Sequence, residues 1–132
     1  MLIFLSLFLY AQSFETLAQI GESCDKNPIY TINNFTVTPY PITIYSPYVI
    51  FMNGSFSESE SVKYIYIGTK YNTSPWVYVN QDVNQDYSKH STANFSVTMQ
   101  SFSSKGGYTV QASLHRKNHD VLSCWQFDFI IK

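Results

Sequence analysis

The sequence predicts an all-β protein, an immunoglobulin-like sandwich of two sheets and seven to eight antiparallel strands. Three observations carry this. Apolar and polar residues alternate with period two along most of the chain, and no stretch of ten residues keeps a helical period. Polar connectors separate the alternating stretches at roughly the spacing of a sandwich. Two cysteines, Cys24 and Cys124, bracket most of the chain. A closed barrel is the second choice, because the connector lengths are irregular.

Taken in order, the chain opens on an apolar run over residues 2–10, too short to cross a bilayer. Small residues follow, Ala11 and then Ala18 in Thr16-Leu17-Ala18, which suits a signal peptidase. The expectation is a secretory signal peptide over residues 1–18 and one domain over residues 19–132. The run lacks Lys and Arg, and a buried first strand is the other reading. Tyr30 and Ile32 set one parity while Phe35 and Val37 set the other, which places a bulge near Asn33-Asn34. Pro39 and Pro41 break this strand, and Ile42-Thr43-Ile44 resumes extended chain. Residues 48–52 are an apolar run long enough for a strand buried on both faces. Over residues 61–67, Val62, Tyr64 and Tyr66 alternate with Lys63, Ile65 and Ile67, and either set could face inward. Residues 75–79 make another short strand.

The later strands are regular. Ala93, Phe95, Val97 and Met99 alternate with Asn94, Ser96, Thr98 and Gln100, and Tyr108, Val110, Ala112 and Leu114 alternate with polar neighbours. A charged turn then leads to a last strand in which Trp125, Phe127, Phe129 and Ile131 share one face. Such strands bury one face and wet the other. Residues 53–60, 70–74, 80–92, 101–107 and 116–120 read as connectors.

Composition bounds the function. The net charge is −1 and 13% of residues are charged, too few cations for binding driven by phosphate neutralisation. Nucleic acid is therefore excluded as a partner, and no basic run marks an anionic membrane surface. Nothing after the first run resembles a membrane-spanning helix. In an oxidising compartment an even pair of cysteines is normally a disulfide. Closing so long a loop contributes on the order of 4–5 kcal/mol on the chain-entropy model. Four glycosylation sequons, at Asn34, Asn53, Asn72 and Asn94, agree with a secreted or endo-lysosomal lumenal protein.

Several segments together resemble the ML (lipid-recognition) domain family, most closely its phosphatidylglycerol/phosphatidylinositol transfer proteins. Cys24, Tyr30-Thr31-Ile32 and Phe35-Thr36-Val37-Thr38-Pro39-Tyr40-Pro41 look like the family's opening strand and its Pro-x-Pro. Asn94-Phe95-Ser96-Val97 and Gly107-Tyr108-Thr109-Val110 look like its Phe-containing strand and Gly-x-Tyr strand start. Leu122-Ser123-Cys124-Trp125-Gln126-Phe127 looks like its ending. The resemblance implies that Cys24 is joined to Cys124, and that two sheets part at one end to admit acyl chains. Such transfer proteins usually hold a second cysteine pair in the middle. Here Asn84 follows Asp82-Val83 where one would stand, and Lys89-His90-Ser91 offers none.

The candidate cavity lining is the apolar face formed by Phe95, Val97, Met99, Tyr108, Val110, Leu114, Trp125, Phe127 and Phe129; the pattern alone fits a filled core better, and it is the resemblance that implies a pocket there. His115 and His119 flank the turn Arg116-Lys117-Asn118, so they lack helical metal-ligand spacing, and no metal is expected. Asp82 and Asp86 show no EF-hand order of oxygen ligands. No Gly-x-Ser-x-Gly elbow exists, and Glu58 and Glu60 lie in a Ser-rich loop tip. The expectation is a monomeric, non-enzymatic protein without cofactor that sequesters a phospholipid or sterol-like lipid between its sheets. It would exchange the lipid transiently with donor and acceptor membranes or hand it to a protein. The alternative is a secreted adhesion or receptor-binding module with a filled core, and a secreted hydrolase is a third reading.

Overall fold

The computed structural model describes residues 19–132; the expected signal peptide lies outside the described residues. Eight strands form: β1 (Glu22–Ser23), β2 (Tyr30–Thr38), β3 (Tyr48–Phe56), β4 (Glu60–Tyr71), β5 (Val77–Tyr87), β6 (Thr92–Met99), β7 (Gly106–His115) and β8 (Val121–Ile131). They pair antiparallel in two sheets, one in the order β1-β8-β7-β4-β5 and the other β2-β3-β6. The sheets face each other as a sandwich.

The alternating pattern explains the layering. Phe35, Met52 and Phe95 sit side by side across the three-stranded sheet and point inward. Val110, Phe127 and Ile67 come from the other sheet and are buried opposite them. Phe35 is wholly buried and stacks on Trp125 across the sandwich, with ring centroids 5.6 Å apart. Burial of such rings supplies most of the favourable free energy, and their stacked and tilted geometries add to it. Cys24 and Cys124 form a disulfide that ties the chain entry to β8.

Three strand readings change in detail, and one left open is settled. β3 is half-buried, because Phe51 faces solvent while Ile50 and Met52 face the core. Residues 42–44 form no strand; Ile42 is buried from a loop. A register shift between Val62 and Tyr64 puts Val62 on the same side as Ile65 and Ile67, and leaves Tyr64 and Tyr66 on the outer face. Residues 80–87, read as connector, belong to β5. This strand is the edge of the larger sheet and is polar on both faces for most of its length, so it carries no apolar alternation. The bulge near Asn33-Asn34 is present, as a register shift between Ile32 and Asn34.

Candidate functional site

The two sheets close on each other at one end and part at the other. At the closed end Tyr30, Phe56, Tyr87 and Phe95 form an aromatic cluster. Phe56 stacks on Tyr87 at 4.8 Å and Tyr30 meets Phe95 edge-on at 5.3 Å. The Tyr30 hydroxyl donates to the Ala93 carbonyl at 2.8 Å, and burial pushes its pKa well above the ordinary phenol value. Midway along β5, Gln81 Nε2 donates to the Ser96 carbonyl and clips the edge strand to the smaller sheet.

Beyond that clip the sheets separate. Their inner faces border a cavity of about 500 Å³ that opens to solvent, lined by Tyr48 and Met99 on one side and by Thr69, Val77, Val79 and Tyr108 on the other. Phe102, in the connector between β6 and β7, completes the wall. The lining is mainly apolar and holds no charged side chain. A larger hollow of about 740 Å³ lies elsewhere, but Glu60, Asp86, Arg116 and Lys117 line it, so it is a charged surface feature.

Sequence places the rim where strands end. Val77 and Val79 are 67% and 49% exposed. They occupy the inner face of an edge strand, where the three-stranded sheet gives them no cover. The connector from Pro39 to Pro47 brings Tyr45 to the same end, where its backbone N–H donates to the Phe102 carbonyl at 2.8 Å. Tyr45 and Ile130, at the end of β8, are exposed apolar residues there. Lys70 is the penultimate residue of β4, Lys105 precedes β7 and Lys132 follows β8, and in β8 the Asp128 carboxylate accepts from the Thr109 hydroxyl.

Three tyrosines line the cavity. The Tyr71 hydroxyl donates to the Lys105 carbonyl and the Tyr108 hydroxyl to the Ser104 carbonyl, both at 2.6 Å. Tyr48, 1% exposed, stacks on Phe102 at 5.5 Å. Its hydroxyl is buried and makes no hydrogen bond among the described residues. Burial drives the Tyr48 phenol pKa far up, and the nearby Thr69 side chain offsets a little of this without reaching hydrogen-bond geometry.

All nine residues of the predicted lining are buried. The cavity wall takes Met99 and Tyr108 from among them. Phe95 belongs to the closed end. Val97, Val110, Leu114, Trp125, Phe127 and Phe129 pack in the interior, with Phe129 stacked on Tyr108 at 5.3 Å. Tyr48, Thr69, Val77, Val79 and Phe102 were not among the sequence candidates. One signal for the rim was available: Val77-Tyr78-Val79, an apolar beginning to an otherwise polar segment.

His115 and His119 do not converge on a common point. The His115 ring is buried against Tyr64 at 4.8 Å. Its Nδ1–H donates to the His119 carbonyl at 3.0 Å, which leaves Nε2 to accept from the Ser113 hydroxyl at 2.8 Å. Among the described residues no group of three His, Cys, Asp or Glu side chains could hold a metal ion. Three of the four sequon asparagines share one row: Asn34 pairs with Asn53 and Asn53 with Asn94, across the outer face of the three-stranded sheet.

The family model of the ML domain matches residues 20–131. The chain belongs to the ML-domain family. Membership supports a lipid-binding protein. Among solved structures, the ML domain here is similar to a Niemann-Pick type C2 protein from the Japanese carpenter ant. The TM-score is 0.64 and the identity 13%, over 86% of this chain and 99% of that one. It is also similar to the C-terminal domain of wzt, with a TM-score of 0.73 and 12% identity, over 87% and 82% of the two chains. At such identities both likenesses speak to fold alone. A search of curated proteins returns no match.

Proposed function

We propose that this ML domain sequesters one lipid, a phospholipid or a sterol-like molecule, between its two sheets and carries it through an extracytoplasmic fluid. The observation that carries the reading is the uncharged cavity of about 500 Å³ that opens between strand ends. Interiors are normally packed to crystal density, and an apolar void of this size falls in the range of ligand pockets. A filled-core adhesion module, the competing reading, gives no reason for such a void. The mechanism is burial of apolar surface, with the mouth opening and closing around the ligand.

The rim supports exchange with donor and acceptor membranes. Val77, Val79, Tyr45 and Ile130 are exposed there, next to Lys70, Lys105 and Lys132. Apolar and aromatic groups that enter the interface, with lysines attracted to anionic lipid, make a weak and reversible contact. The disulfide and the sequons support secretion or an endo-lysosomal lumen. Where the chain is glycosylated, the row Asn34, Asn53, Asn94 would put the glycans on the sheet face away from the mouth.

The test is mass spectrometry of lipids extracted from protein purified after secretion by eukaryotic cells. One lipid class near equimolar amount is the expected result. A protein that carries no lipid and binds no apolar fluorescent probe would overturn the reading.

A further inference from the structure

We propose that the outer face of the three-stranded sheet carries glycans on Asn34 and Asn94, one on each edge strand, and that Asn53 between them stays bare in the same molecule. The inference concerns modification and stands or falls independently of the lipid-binding reading.

Three sequons meet in one place although the chain separates them. Asn34 in β2 is the ladder partner of Asn53 in β3, and Asn53 is the partner of Asn94 in β6. The next residue in β2 and β6, and the one before in β3, are Phe35, Phe95 and Met52, all buried in the core, so the asparagines point outward. Side chains directly opposite one another on antiparallel strands start about 5 Å apart. The contact is direct, since Asn53 Nδ2–H donates to Asn94 Oδ1. Asn34 and Asn94 are exposed, and Asn53 is half-buried between them.

The spacing decides which asparagines can be modified together. A glycan is joined to Nδ2, and its first sugar, with acetamido and hydroxymethyl arms, is wider than one strand spacing. Neighbours in the row therefore exclude each other, and a glycan on Asn53 excludes both flanking ones. Asn34 and Asn94 lie two strand spacings apart, about 10 Å, so one molecule can carry both. A bare Asn53 also keeps its bond, because Asn94 modified at Nδ2 still accepts at Oδ1. The sugar is transferred before the strands pair, so a chain modified at adjacent positions fails to close the sheet and is not secreted.

The arrangement protects the sheet. β2 and β6 are its two edges, and an unpaired edge is a template for another chain. A bulky, solubilising glycan on each edge strand blunts both. Between them stands Phe51, 37% exposed and the one large apolar side chain of this sheet that is exposed among the described residues. The same glycans shield it.

The experiment reads occupancy molecule by molecule. Protein secreted by cells restricted to high-mannose glycans is trimmed with endoglycosidase H, which leaves one N-acetylglucosamine as a tag on each occupied asparagine. Trypsin then releases residues 27–63, a stretch with no internal Lys or Arg, so Asn34 and Asn53 are read on one peptide, while residues 90–105 report Asn94. Mass spectrometry should find Asn34 and Asn94 tagged, and no 27–63 peptide tagged twice. A doubly tagged peptide at the product of the two single occupancies overturns the exclusion. A row that is bare, or tagged chiefly at Asn53, overturns the assignment. In a variant with Asn34→Gln and Asn94→Gln together, Asn53 should become tagged. If it stays bare there, its emptiness has another cause and the exclusion falls.

Discussion

The cavity has a finite length, and affinity should report it. The perturbation is to lengthen a straight-chain alcohol one methylene at a time, from 1-octanol to 1-icosanol. Each methylene taken out of water is worth about 0.8 kcal/mol, or roughly a fourfold gain in affinity. The gain continues only while the cavity lasts. A volume of about 500 Å³, at roughly 30 Å³ for each water-sized group, accommodates on the order of sixteen groups. The gross gain over such a chain is about 13 kcal/mol, and association costs take back a large part of it. Dissociation constants measured by fluorophore displacement should thus fall about fourfold per carbon, then level off near sixteen. The Val79→Trp variant, which fills part of the rim, should move the break to a shorter chain. Affinity independent of chain length, or rising unbroken to 1-icosanol, would refute the finite-cavity reasoning.

Three further outcomes are expected. Replacing Cys24 and Cys124 together by Ala should cost about 4–5 kcal/mol by the loop-entropy estimate for a separation of 100 residues, read as a drop in urea midpoint with unchanged secondary structure by circular dichroism. Gly54→Ala should destabilise by roughly 1–3 kcal/mol, because a Cβ there would collide with the Thr31 carbonyl beside the β2 bulge; Val77→Ser, at a mostly exposed site, should stay within about 0.5 kcal/mol. Stability should also fall at high pH. Burial raises the Tyr30 and Tyr48 phenols above their value in the unfolded chain, so their contribution is fully present below about pH 10. It is lost as pH rises beyond that, at about 1.4 kcal/mol per pH unit for each phenol that stays protonated in the fold. Tyr30→Phe should flatten the decline in a denaturation series from pH 9 to 11.5.

The regular part of the fold was legible because burial and sequence shared one period. Trp125, Phe127, Phe129 and Ile131 alternate in the sequence and are buried together in β8. The Asn33-Asn34 bulge was legible because two parities meet there. β5 was not, for a physical reason. At the edge of the larger sheet Asn80, Gln81, Asp82, Asn84 and Gln85 are exposed on either face, so they are polar throughout and carry no alternating signal. Tyr64 and Tyr66 could not be assigned a face, because a bulge shifts the parity one residue earlier. Of the cavity wall, Met99 and Tyr108 could be found because they lie in alternating strands. Phe102 and Thr69 could not, since they border the space only through the way the two sheets diverge, a tertiary property with no local pattern.

Unequal sheet width has a consequence for how such a molecule changes over generations. The mouth is built at the free margin of the wider sheet, by side chains that lie outside the buried core. Val77 and Val79 are exposed, whereas Phe35 and Ile50 are wholly buried. Substitutions at the margin therefore carry little risk of unfolding, and selection can reshape cargo preference there while the deep interior stays constant. Robustness and novelty reside in different strands of one small domain.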